Sequence, residues 1–191
     1  MVIAATLLGG CATGDIALTA AAAPAAPPPP PSEWKFERKT DRITGAPRAT
    51  AFLQSSRSST HTRRYKIPQP AFLRLSCFRN QPVVQFAFMV KVGSNRNASV
   101  SYRFDENPGH DAKVRFLEDY KTVVIEDKAA VARFADELAG AKTLFVRVDS
   151  LISRVGQSNA EFRVHGAPAA IEAAFADCPL PVSSTRKPAG A

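Results

Sequence analysis

The chain has 191 residues, 45% of them hydrophobic with 12 Phe, enough to build one domain with a proper core. Lys and Arg outnumber Asp and Glu by 25 to 17, a formal net charge of +8. The N-terminal apolar run, Val2 to Leu8, falls far short of the roughly 20 residues that cross a bilayer, so a spanning helix is excluded there.

That run matches the lower end of a signal-peptide h-region in length, and Gly9, Gly10 and Cys11 follow its last residue, Leu8. "LLGGC" resembles the lipobox of bacterial lipoproteins: an aliphatic residue, two small residues and the cysteine. The resemblance implies a signal peptide over residues 1–10, cleavage between Gly10 and Cys11, and diacylation of the Cys11 sulfur. Palmitate-type chains would then hold the protein to a membrane, since stable anchoring takes two lipid signals. In that family Asp after the cysteine tends to retain the protein in the inner membrane; Ala12 favours the outer membrane. The sequence departs from the pattern in having no Lys or Arg before Cys11, and a start codon upstream is the expected reason.

Residues 11–32 read as a lipidated cysteine followed by an Ala/Pro-rich tether. Pro27 to Pro31 lack N–H donors and favour polyproline II, a semi-rigid stalk that holds the rest clear of lipid headgroups. Residues 33–178 form the expected globular domain, and 179–191, "PLPVSSTRKPAGA" with its preceding Cys178 excluded, read as a disordered tail.

Within the domain strand signals dominate. Leu73, Leu75 and Cys77 alternate with Phe72, Arg74 and Ser76. Val84, Phe86, Phe88, Val90 and Val92 share one face, and Asn80-Gln81-Pro82 reads as the hairpin turn between these runs. "GSNRN" is a second turn, after which Val100, Tyr102 and Phe104 face one way. Three such runs in succession predict an antiparallel meander. "TVVIE", "TLFVRV" and "AEFRVHG" are further strands. Asp127 is a candidate N-cap for a helix carrying Val131, Phe134 and Leu138, with Gly140 placed as its C′ glycine. Pro168 opens a second helix that carries Ile171, Ala174, Phe175 and Cys178 on one face. The expectation is an α+β, β-rich fold: an antiparallel sheet or sandwich with two short helices.

With Cys11 acylated, Cys77 and Cys178 both face inward and are expected to form a disulfide in an oxidising compartment. The most distinctive polar segment is "SYRFDENPGHDAKVRF", where Arg103, Asp105, Glu106, His110 and Asp111 crowd around a turn as a candidate polar binding loop. No second histidine stands at helical spacing, and neither a G-x-S-x-G elbow nor a glycine-rich phosphate loop occurs. No catalytic residue, cofactor or metal is therefore expected, and the protein is read as non-enzymatic. Basic side chains concentrate at residues 63–66 and 91–96. Outside the cytoplasm these point away from nucleic acid and toward an envelope protein or an anionic polymer.

From Trp34 to Cys178 the order of features resembles small periplasmic proteins associated with type VI secretion. It consists of the early Trp34, then Asp41 with Thr44-Gly45, then "LRLSC", a "YRFD" strand, and an "F.V.GA" strand followed by a short helix ending in cysteine. The resemblance implies a β-rich envelope component in the periplasm that binds partners rather than catalysing; the net basic charge and the proline tether depart from that group. Lipoprotein inhibitors of lysozyme are similar in architecture, but like charges disfavour contact with a basic enzyme. The expected function is that of a cell-envelope lipoprotein whose tethered domain docks on another component. The alternatives are a secretion-system accessory, or an inhibitor or enzyme using the 103–111 segment.

Overall fold

Among the described residues, six antiparallel strand pairs, dealt alternately to two sheets, build the domain. A computed structural model describes residues 32–40, 42, 45–62, 66–93, 99–149 and 155–180. The expected signal segment, Cys11, almost all of the tether, the 94–98 turn and residues 181–191 lie outside the described residues. No helix among the described residues is long and apolar enough to cross a membrane.

The strands are β1 (Lys35–Thr40), β2 (Pro47–Gln54), β3 (Arg57–Thr62), β4 (Lys66–Pro68), β5 (Ala71–Phe78) and β6 (Gln81–Phe88). They continue with β7 (Ser99–Phe104), β8 (His110–Lys113), β9 (Arg115–Phe116) and β10 (Thr122–Ile125). Helix α1 (Lys128–Gly140), β11 (Thr143–Asp149), β12 (Val155–Arg163) and α2 (Ala167–Phe175) are the remaining elements among the described residues. The first sheet runs β1-β2-β5-β6-β10-β9 and the second β4-β3-β12-β11-β7-β8, antiparallel throughout. The β-rich α+β expectation therefore holds, with two six-stranded sheets and two helices.

Alternation explains which face each strand buries. Leu73 and Leu75 of β5, Val84, Phe86 and Phe88 of β6, and Val100, Tyr102 and Phe104 of β7 point into the core, as the sequence predicts, and Ala71 of β5 joins them. Phe134 of α1 joins the sheets. Its ring centroid lies 6.0 Å from that of Phe86 in the first sheet and 5.1 Å from those of Tyr102 and Phe104 in the second. Phe86 also reaches Phe162 of β12 at 6.4 Å, so one core serves both sheets. Each such ring, fully buried, contributes on the order of 2–3 kcal/mol. Trp34 is buried at the entrance to β1, with its indole N–H directed at the Val164 carbonyl, 3.5 Å away.

Four local expectations are corrected. β5, β6 and β7 do not form a meander: β7 joins the other sheet, between β11 and β8. The β5–β6 turn is Arg79-Asn80, both with positive φ (49° and 61°), and Pro82 is already in the strand opposite Cys77. Two left-handed residues between paired Phe78 and Gln81 are what a tight hairpin needs to match strand twist. β6 ends at Phe88, short of Val90 and Val92, although Val92 is still buried and donates its N–H to Tyr120. Gly140 is the last helical residue rather than a left-handed cap, and Ala141, in extended geometry, ends α1. Asp127 does cap α1, accepting the Ala130 N–H at 2.8 Å. Pro168 stands in the first turn of α2, after Gly166 with φ of 81°.

Cys77 and Cys178 come together as expected, with Cα atoms 5.9 Å apart across 101 residues. The pairing links the end of β5 to the residues just beyond α2. α2 in turn packs on β2 and β5, so the bridge reinforces a contact that burial already makes.

Candidate binding groove

The outward face of the second sheet carries a groove of about 1180 Å³. Its floor follows from strand register. Arg103 of β7 stands opposite Phe145 of β11, Phe145 opposite Glu161 of β12, and Glu161 opposite Arg57 of β3. Two residues along, a second row crosses the same strands as Ser101, Arg147, Asn159 and Ser59, ending at Pro68 of β4. The intervening Tyr102, Val146 and Ala160 point the other way and are buried, so alternation sends the polar rows outward. The β2–β3 corner (Ser55, Ser56) and the β4–β5 connection (Gln69, Pro70) form a wall, and Lys66 lies beside them.

The rows are held by their own contacts. Glu161 accepts two hydrogen bonds from Arg57, at 3.1 and 3.2 Å, which raise the Arg57 guanidinium above its ordinary pKa. The Arg103 guanidinium lies over the Phe145 ring, 5.1 Å from its centroid. Arg147 is 3.7 Å from Asp149, whose carboxylate accepts the Gln157 amide at 3.0 Å. Below the floor, the Thr60 and Ser158 hydroxyls hydrogen-bond at 2.7 Å, and the Gln69 amide reaches Thr60 as well. Gln69 also accepts the Val90 N–H at 3.1 Å, which fixes the wall to the segment that follows β6.

The five residues of the candidate polar loop are spread over two strands and a turn. Arg103 is on β7, Asp105 and Glu106 are in the turn, and His110 and Asp111 open β8. They do not converge on one point. Asp105, with φ of 47°, accepts the N–H groups of Lys142 and Thr143 at 2.8–3.2 Å and returns its own N–H to the Thr143 carbonyl. It therefore clamps the α1–β11 connection to the end of β7. His110 Nε2 is 3.1 Å from Glu137 of α1, and its ring packs on Tyr102. Burial raises the Tyr102 phenol above its usual pKa; the Glu137 charge adds to this, and Arg133 opposes it. Asp111 accepts the Ser101 hydroxyl at 2.6 Å, and Glu106 is exposed. Only Arg103 belongs to the groove floor. Among the described residues no group of three or more His, Cys, Asp or Glu is placed to hold a metal ion.

Sequence reasoning left out Arg57, Phe145, Arg147 and Asn159. The available signal was the outward position each takes in an alternating run, read together with which strands pair. No family model matches the chain, and neither a curated protein nor a solved structure matches it.

Proposed function

We propose that the chain is a non-enzymatic cell-envelope lipoprotein, anchored through lipid on Cys11, whose β-rich domain docks on another envelope component. The observation that carries this reading is the groove. It is broad and rich in arginine, and its side chains stack on or bond to one another instead of activating a nucleophile. The Cys77–Cys178 pair suits an oxidising compartment, and the LLGGC stretch supports attachment to a membrane. Asp105 and His110 are engaged with α1 and its connection, which favours docking over an enzyme or inhibitor built on the 103–111 segment. A secretion-system accessory would be one special case of the docking role.

The test has two parts. Mass spectrometry of the protein taken from its native envelope is expected to find the mature chain beginning at an acylated Cys11. Photocrosslinking from Ser59 in intact envelopes is expected to trap a discrete partner. An unmodified Cys11 with residues 1–10 retained would end the lipoprotein reading, and crosslinking no different from that at an exposed site on the first sheet would end the docking reading.

A further inference from the structure

Among the described residues, four cationic side chains, Arg57, Lys66, Arg103 and Arg147, line the groove against one carboxylate, Glu161. Glu161 is already committed to Arg57 through both oxygens. Arg103 has no carboxylate partner among the described residues; its guanidinium carbon lies over the Phe145 ring, a contact that uses none of its N–H donors and leaves them for another acceptor. Among the described residues Arg147 has only the 3.7 Å approach of Asp149. With Asp149 and Asp111 at its margins, the lining still carries more positive than negative charge, on side chains suited to planar oxyanions.

The dimensions narrow the class of ligand. From Arg103 on β7 to Lys66 on β4 is four strand spacings, about 19 Å at ~4.8 Å each. An extended peptide covers that span in about six residues. Its side chains at i and i+2 project to the same side roughly 6.8 Å apart. Arg103 and Arg147 are diagonal neighbours on paired strands, with Cα atoms about 7–8 Å apart, so two such side chains fall within reach of both. A sugar ring would need an open aromatic face. Of the two aromatic residues lining the groove, Phe145 is covered by Arg103 and Tyr102 is buried from above by the sheet.

We propose that the groove receives an extended segment of a partner protein carrying Asp or Glu at alternate positions, held by Arg103 and Arg147. The inference rests on the docking reading above and names the chemistry of the docked surface.

The full chain would be titrated with a labelled hexapeptide bearing glutamate at alternate positions, with its glutamine counterpart, and with polygalacturonate. The glutamate peptide is expected to bind and the glutamine peptide to bind at least tenfold more weakly, with affinity falling as salt rises. Arg103→Gln and Arg147→Gln should each weaken binding about tenfold without shifting the thermal midpoint. Lys35→Gln, on the edge of the other sheet with the same loss of charge, should leave binding unchanged. Equal binding of the two peptides, tighter binding of polygalacturonate, or equal effects of all three substitutions would overturn the proposal. These titrations decide the groove chemistry alone. Crosslinking in envelopes decides docking, so a partner trapped in spite of a failed titration would leave that reading intact.

Discussion

Breaking the Cys77–Cys178 link should cost stability on a scale set by the length of chain it closes. The bridge spans 101 residues. In the chain-entropy model a loop of that length contributes up to about 4.7 kcal/mol, and native disulfides typically deliver about 2–4 kcal/mol. Taking ~3 kcal/mol, and about 2–4 °C of midpoint per kcal/mol for a domain near this size, the thermal midpoint should fall by about 10 °C. Two routes should agree: reductant added to the parent chain, and Cys77→Ala with Cys178→Ala in the same molecule. Circular dichroism melts measure both. Hydrogen exchange should locate the first loosening at α2 and the end of β5, since α2 then keeps only its packing on β2, β5 and α1. The reasoning fails if the denatured, unreduced protein offers both thiols to a thiol reagent. It fails equally if reductant moves the midpoint by less than about 2 °C.

Phe134→Ala should lower unfolding stability by about 3–5 kcal/mol in urea titrations, because the ring is fully buried and touches Phe86, Tyr102 and Phe104 from both sheets. Asp105→Ala should cost about 1–3 kcal/mol by removing the acceptor for Lys142 and Thr143, and Asp105→Asn less, since asparagine tolerates the left-handed backbone. Glu106→Ala should leave the urea midpoint unchanged, which separates a clamp from a merely charged turn. Acid should expose Asp119: burial pushes its carboxyl up, but the N–H groups of Lys121 and Thr122 and the Thr122 hydroxyl outweigh this and hold it below the usual range. A depressed folded value means the contribution is present above the unfolded value, about pH 4, and is lost as pH falls through the folded one. Urea midpoints for Asp119→Asn should therefore fall less steeply below pH 4 than those of the parent.

How much of this was legible depended on what lay on the buried side of each strand. β5, β6 and β7 announce themselves because large residues such as Leu73, Phe86 and Phe104 alternate with polar ones. β2 buries Ala49, Ala51 and Leu53, two of them too small to mark a period, and β3 buries Thr60 against Ser158, polar against polar. Those strands, with β1 and β4, went unseen, and so did β8 and β9 inside the segment read as a loop. The Arg79-Asn80 turn is read one residue late at its start and two at its end because proline suggests the bend, whereas the left-handed pair makes it. The cysteine pairing was readable because both residues end inward-facing runs. The groove was not, because each of its rows joins residues from about 57 to 161 and exists only once β3, β12, β11 and β7 are in register.

The positive character of that face has a cause in how the acidic residues are spent. Asp105, Asp119 and Asp127 accept backbone N–H groups at a turn, a second turn and a helix start. Glu126 bonds Arg115 through both oxygens, at 2.7 and 2.8 Å, and is held below its ordinary range by that contact against the opposing effect of burial. Glu137 meets His110, Asp111 meets Ser101, and Glu161 meets Arg57. These seven carboxylates are local fasteners, while Arg103 and Arg147 stand outward in the groove. Exposed charges of this kind contribute little to folding, so Arg103 and Arg147 can be replaced with small effect on stability. The polar groups that support the fold and those that could recognise a ligand are therefore different residues, and substitutions in the groove can change binding without unfolding the sheet beneath it.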